Sequence, residues 1–229
     1  LFVGSNTTIP TLRSDAATAD ETERWMRGEF LVATFEDLYA KDGEERILGD
    51  ERLAGYEYGE MAASFAAPPR VGEVAELTIR TRNVGMGHAF PESSLDLEEA
   101  WLEVRVTDAN GELVFSSGGV DAEQRILPGS HTLGGRLLDA DGRPIEHYRV
   151  WAGVTELVDR QIPAGGSVED RFEFRVPEGT RGHLNVDARW HYRKLGQAFW
   201  DWAYGSERPI PSPVVLRVFT AFPLVAGTR

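Results

Sequence analysis

The chain has 229 residues, 41% hydrophobic and 27% charged, the balance of an ordinary globular protein long enough for one large all-β domain with a helical arm. Lys and Arg total 24 against 37 Asp and Glu, and the resulting net charge of −13 repels phosphate backbones and speaks against nucleic acid as a partner. Cysteine is absent, which excludes disulfides, zinc–thiolate sites, iron–sulfur clusters, a thiol nucleophile and covalent attachment of a c-type haem by this chain.

Residues Leu1 to Arg13 read as an extended arm. No signal peptide is visible at Leu1, and the missing initiator methionine suggests a processed or excised chain. No apolar run approaches the roughly 20 residues of a membrane helix, so no membrane span is expected. A helix is predicted next. Thr18 and Glu21 form a capping box, and Asp20, Glu21 and Glu23 suit the positive end of the helix dipole. Trp25, Met26, Phe30, Val32, Ala33, Phe35 and Leu38 make a broad apolar face, with Gly43 as the stop. The domain boundaries expected are an arm plus amphipathic helix over 1–50 and a β-sandwich over 51–229.

From Tyr56 onward the period is two. Tyr58 to Ala66 is a weak strand ended by Pro68-Pro69. Glu73 to Asn83 is stronger, with Ala75, Leu77, Ile79 and Thr81 on one side and Thr78, Arg80 and Arg82 on the other. Trp101 to Thr107 turns Leu102, Val104 and Val106 inward. Asp108-Ala109-Asn110-Gly111 is a hairpin turn, and Glu112 to Ser116 returns as its partner. Gly118 to His147 reads as the longest irregular piece. Within it Asp139-Ala140-Asp141-Gly142 resembles the start of a calcium loop but lacks the closing glutamate, so a second turn is expected. Tyr148 to Val158 reads as an apolar strand. Ile162 to Gly166 is a turn. Val168, Phe172, Phe174 and Val176 alternate with charged residues. His183 to Arg193 is the clearest strand, with Leu184, Val186, Ala188, Trp190 and Tyr192 inward and His183, Asn185, Asp187, Arg189 and His191 outward. Phe199 to Tyr204 is an aromatic patch, followed by Pro209, Pro211 and Pro213, and Val214 to Phe222 closes the set.

About seven to nine short strands with turn signals between them predict a mostly β fold, an antiparallel β-sandwich of immunoglobulin-like or jelly-roll-like kind, with an N-terminal helical arm. On this register Leu102→Ala or Trp190→Ala should cost about 2–5 kcal/mol, and Trp101→Ala little if Trp101 lies on an open outer face.

Chemistry is harder to find. Of the five histidines, none stands in a metal-binding spacing. His183 and His191 share a strand face too far apart for one ion, and read as solvated. Gly-x-Ser-x-Gly is absent, and Ser116-Ser117-Gly118-Gly119 follows a strand with no helix to hold a nucleophile. Asp96, Glu98 and Glu99 are sequence neighbours, weak support for paired glycosidase carboxylates. His88 stands in a bend between Gly87 and Phe90-Pro91. It is read either as a ring packed in the crossing or as a ligand offered from a loop, for example to a haem iron.

Asn83-Val84-Gly85-Met86-Gly87-His88-Ala89-Phe90-Pro91, Asp96-Leu97, Ala100-Trp101-Leu102-Glu103-Val104, Asp108-Ala109-Asn110-Gly111 and Phe115-Ser116-Ser117-Gly118 together resemble the β-rich C-terminal region of periplasmic multihaem c-type cytochromes. Phe2-Val3-Gly4-Ser5-Asn6-Thr7 is similar to the piece that follows their last haem motif. Glu92-Ser93 departs from the small residue and glycine expected there. The resemblance implies a haem-free, non-catalytic portion of a periplasmic or extracellular electron-transfer protein, serving assembly or partner docking. Its haem c would lie in an adjoining segment or partner, approached by His88 as an axial ligand. The implied partners are the haem-bearing segment or subunit and a basic redox protein. The alternative reading is a carbohydrate- or small-ligand-binding sandwich with Trp200, Trp202 and Tyr204 as an aromatic platform. A hydrolase ranks third.

Overall fold

A computed structural model describes residues 13–26, 59–92, 94–147, 149–205, 210, 212 and 214–225. The apolar face predicted over 27–38, the stop at Gly43, the boundary at 50/51 and the opening arm up to residue 12 lie outside the described residues, as do Pro209, Pro211 and Pro213.

Helix α1 spans Ala16–Met26. Its cap is Asp15 rather than Thr18. The Asp15 carboxylate accepts from the Thr18 backbone N–H at 3.1 Å and from the Thr18 hydroxyl at 2.7 Å, which holds its pKa below the usual carboxylate range. Thr18 therefore sits three residues inside the cap, and the helix starts earlier than its hydrophobic pattern indicates.

Nine antiparallel strands follow among the described residues: β1 (Gly59–Phe65), β2 (Val74–Asn83), β3 (Glu99–Thr107), β4 (Leu113–Ser117), β5 (His131–Leu138), β6 (Thr155–Arg160), β7 (Ser167–Arg175), β8 (His183–Arg193) and β9 (Val214–Pro223). They form two layers. The smaller sheet runs β1-β2-β7; the larger runs β6-β5-β3-β8-β9, with β4 also paired to β3. The sandwich is thus mostly β and antiparallel, as its alternation predicts. Leu77 and Ile79 of the first sheet meet Leu102, Val104, Val106, Leu184, Val186 and Trp190 of the second in one fully buried core. Removing one such leucine to alanine costs about 2–5 kcal/mol, because the lost contacts and the residual void add.

Two polar links cross this core. The Trp190 indole N–H donates to Thr81 Oγ1 at 2.8 Å, so the largest inward residue of β8 is pinned to β2. Asp170, only 1% exposed on the inward row of β7, accepts from Arg160 of β6 and lies 2.6 Å from His131 Nδ1 at the start of β5. A buried carboxylate is tolerated here because two cationic or donor groups reach it from the facing sheet.

The structure corrects the expected strands in two places. The stretch read as irregular contains β5, whose Gly134 and Gly135 hide a strand of low propensity. The strand expected from Tyr148 begins only at Thr155, after a short 3-10 turn at Val150–Ala152. The Asp139 segment is a turn, as expected: its Oδ1 accepts from the backbone N–H groups of Asp141 and Arg143, both at 2.9 Å. Asp108 makes the same arrangement with Asn110 and Glu112 at 2.7 and 3.1 Å.

The outer face of the large sheet is also not the open surface that alternation suggests. Trp101 is 2% exposed. It stacks on His191 at 4.8 Å, with the Arg193 guanidinium 4.6 Å from its ring. His191 is correspondingly shielded, and its Nε2–H donates to the Glu103 carboxylate, Oε2 lying 2.7 Å away. The reading of His191 as solvated is therefore wrong: its neighbour across the ladder, Trp101, covers it.

Candidate functional site

The segment after β2 carries the histidine singled out above. It leaves the sheet at Asn83, whose buried side chain shapes the bend. Asn83 Nδ2 donates to His88 O at 2.7 Å and to Ile162 O at 3.3 Å, and its Oδ1 accepts from Met86 N–H at 3.2 Å. Gly87 takes a φ of 74°, a left-handed value that a side chain would oppose. Phe90 and Ile162 then exchange backbone hydrogen bonds of 2.9 and 2.8 Å. The Phe90–Pro91 peptide is cis.

This framework leaves the His88 side chain outside, 58% exposed. Its Nδ1 lies 2.7 Å from Ala89 O and 2.8 Å from Glu92 Oε2. Among the described residues Nε2 has no partner. A histidine whose Nδ1–H is held by a carbonyl and a carboxylate presents its other nitrogen as the basic one, the tautomer that metal ligation uses. Glu92, the departure from the expected run, is the residue that supplies this second contact.

Behind the same loop lies a buried acidic group. The Phe90 ring stands 5.7 Å from Tyr192, and Tyr192 hydrogen-bonds Glu98, which is also paired with the Lys194 ammonium. Burial pushes the Glu98 carboxyl above its ordinary value, with the Lys194 hydrogen bond and charge opposing, and burial together with the Glu98 charge pushes the Tyr192 hydroxyl up as well. Next to it, Arg193 donates to Glu99 Oε2 at 3.0 Å, to Gln124 O at 2.7 Å and to Ser212 Oγ at 2.7 Å. Glu98 and Glu99 thus serve separate cation partners, and do not face each other across a cleft. The Asp96 charge adds to the rise of the Glu98 pKa, after burial. No group of three or more metal-ligating side chains occurs among the described residues.

The aromatic patch folds as helix α2, Gln197–Tyr204. Its N–H end is satisfied by Glu99, whose Oε1 accepts from Gln197 N–H at 3.2 Å. The helix does not present the three rings of the sequence-predicted platform on one open face. Trp200 is 1% exposed and packs against Tyr204 at 4.8 Å, whereas Trp202 is 60% exposed and stacks on His147 at 4.6 Å. Trp200 therefore offers no face to a ligand; Trp202 and Tyr204 remain at the surface.

Sequence reasoning missed the exposed apolar residues on the edge strand β6 and on the turn that leads into it. Trp151 is 80% exposed, and Val150, Val154, Leu157 and Val158 are exposed around it. The signal was there in Tyr148 to Val158, where Val150, Trp151, Val154, Leu157 and Val158 are more apolar side chains than an exposed edge needs.

No family model matches the sequence, and no curated protein matches it. Among solved structures, a penta-haem cytochrome c552 from Thermochromatium tepidum is similar, with a TM-score of 0.51 and 14% identity over 72% of this chain and 40% of that one. The likeness is one of fold, and the chain spans well under half of the cytochrome's length. A CARDB domain from Pyrococcus furiosus has a TM-score of 0.32 at 10% identity, covering 74% of this chain and 91% of its own. A β-glucuronidase from Bacteroides uniformis has a TM-score of 0.29 at 12% identity, covering 71% of this chain and 13% of its own. These two are too distant to bear on function.

Proposed function

We propose that this chain is the haem-free β-sandwich portion of an exported, periplasmic or extracellular, multihaem cytochrome-like electron-transfer protein, and that it serves assembly or partner docking without catalysing a reaction. One observation carries the reading: a solved structure similar to this chain at a TM-score of 0.51 is a penta-haem cytochrome, the same class that the His88 run and the Trp101 strand resemble. With no cysteine in the chain, haem c is attached elsewhere, in a neighbouring segment or subunit. Trp151 and Val154 before β6, with Leu157 and Val158 on it, offer the haem-bearing partner an apolar contact. The net charge of −13 suits a basic redox protein as a transient partner. The outward Nε2 of His88, on a loop held by the Asn83 hydrogen bonds, supports its reading as an axial ligand.

The test is the complete open reading frame. It should encode Cys-x-x-Cys-His motifs beside this chain. Its product, expressed in a host that matures c-type cytochromes, should give a pyridine haemochrome spectrum. A frame without such motifs, yielding a protein that purifies without haem alone or with its partners, would overturn the reading.

A further inference from the structure

The edge of β3 is shared. Its second half, Val104 to Thr107, pairs with β4, and its first half, Ala100 to Leu102, pairs with β5. At the changeover the chain passes close to β3: Gly118 has a φ of 78°, and a Cβ there would stand 1.9 Å from Leu102 O. Only glycine allows that approach. The seam leaves a cavity of about 400 Å³ over Glu103, the residue between the two ladders, lined among others by Arg105, Ser116, Ser117, Leu127 and Ser130. That volume falls in the range of small-molecule sites.

The lining has a definite chemistry. Arg105 is exposed and makes no hydrogen bond or ion pair with any described residue. The two carboxylates nearest it in the ladder are already held. Glu103 is bound by His191, whose hydrogen bond keeps its carboxyl below the ordinary range. Asp187, directly across from Arg105, accepts from Arg217 at 2.8 Å through both oxygens and from Arg189. Three guanidinium groups thus meet two carboxylates, and one positive charge is left over, on a chain that is strongly acidic as a whole. Ser116, Ser117 and Ser130 line the same cavity, and the Ser130 hydroxyl donates to Leu127 O at 2.6 Å and keeps its lone pairs free to accept. Leu127 adds a half-exposed apolar wall.

The geometry points to a binding site for a singly charged, hydroxylated carboxylate of sugar-acid size. The free guanidinium fork takes the carboxylate, the serines take ligand hydroxyls, and Leu127 covers an apolar ring face. A single uncompensated charge favours a monoanion over a phosphate dianion. The site lies away from the His88 loop and does not depend on the cytochrome reading.

The experiment is calorimetric titration of the purified protein with D-glucuronate, D-glucose 6-phosphate and D-glucose, with Arg105→Ala and the control Arg82→Ala, each checked for native near-ultraviolet dichroism. D-glucuronate should bind saturably, at least about tenfold more tightly than either other sugar. Arg105→Ala should weaken it by at least about tenfold, a change of roughly 1.4 kcal/mol, with Arg82→Ala unaltered. Absence of saturable glucuronate binding, preference for the phosphate or the neutral sugar, or equal binding by Arg105→Ala would overturn the assignment. If Arg105→Ala fails to fold, Ser117→Val serves in its place with the same outcomes.

Discussion

Trp101→Ala separates the structure from simple strand alternation. Alternation puts residue 101 on the outer face of β3, where truncation should be nearly free. In the structure that face is closed: the indole is 2% exposed, lies 4.8 Å from the His191 ring at an interplanar angle of 13°, and has the Arg193 guanidinium 4.6 Å from its ring. Buried Trp→Ala changes cost about 3–5 kcal/mol, of which a desolvated cation–π contact accounts for up to about 2. The cover is two polar side chains rather than a closed apolar shell, so water can enter the space left behind. That places the expected loss near the lower end, about 3 kcal/mol. Urea denaturation followed by far-ultraviolet dichroism reads this directly. With an m-value of roughly 3 kcal/mol per molar, the midpoint should fall by about 1 M at unchanged m. Leu102→Ala, on the other side of the same strand, should fall by a similar amount. A midpoint shift under about 0.3 M for Trp101→Ala, beside a full shift for Leu102→Ala, would mean that the outer face is open and the Trp101–His191–Arg193 stack does not form.

Three further outcomes are expected. Thr81→Val keeps the shape but strands the Trp190 indole N–H in the core, so it should destabilise by about 1–3 kcal/mol in the same urea assay; a neutral result would place the indole elsewhere. Glu98 has a raised carboxyl pKa, so the fold favours its neutral form, and its contribution to stability declines as pH rises above the ordinary value of 4.5 towards the folded one. The stability of Glu98→Gln relative to wild type should therefore improve between acid and neutral pH, and a difference flat across that window would contradict the burial. Adding a haem peptide should shift the Soret band through His88 Nε2, and His88→Ala should abolish the shift without lowering thermal stability; an unchanged spectrum in the wild type counts against ligation.

Much of the sandwich was legible because burial on one face imposes a period of two. β2, β3, β7 and β8 carry that period in β-branched and aromatic residues, and their inward rows are the core. β5 was not legible, since His131-Thr132-Leu133-Gly134-Gly135 has no such rhythm and is ordered by pairing with β3 and β6. The cover over Trp101 was not legible either. It depends on which residue stands opposite across the ladder, and a sequence without its register does not carry that information. Asp170 left a trace: it is a charge at an inward position between Val168 and Phe172, which requires a partner from another element. The His88 loop was visible from its glycines and proline. The Ser116–Gly119 run was visible as composition, but its meaning depends on β4 leaving β3 before β5 arrives.

That handover between neighbours on a single edge makes the larger sheet modular. Residues 118–130 touch β3 closely at Gly118 and are tied to β8 where Arg193 donates to Gln124 O at 2.7 Å, with Ala122 and Glu123 at an exposed tip between these anchors. Lengthening the tip would disturb neither ladder, since each is registered independently by its own partner. A fluorophore or an epitope could be spliced in there as a reporter mounted on the sandwich, beside the opening over Glu103.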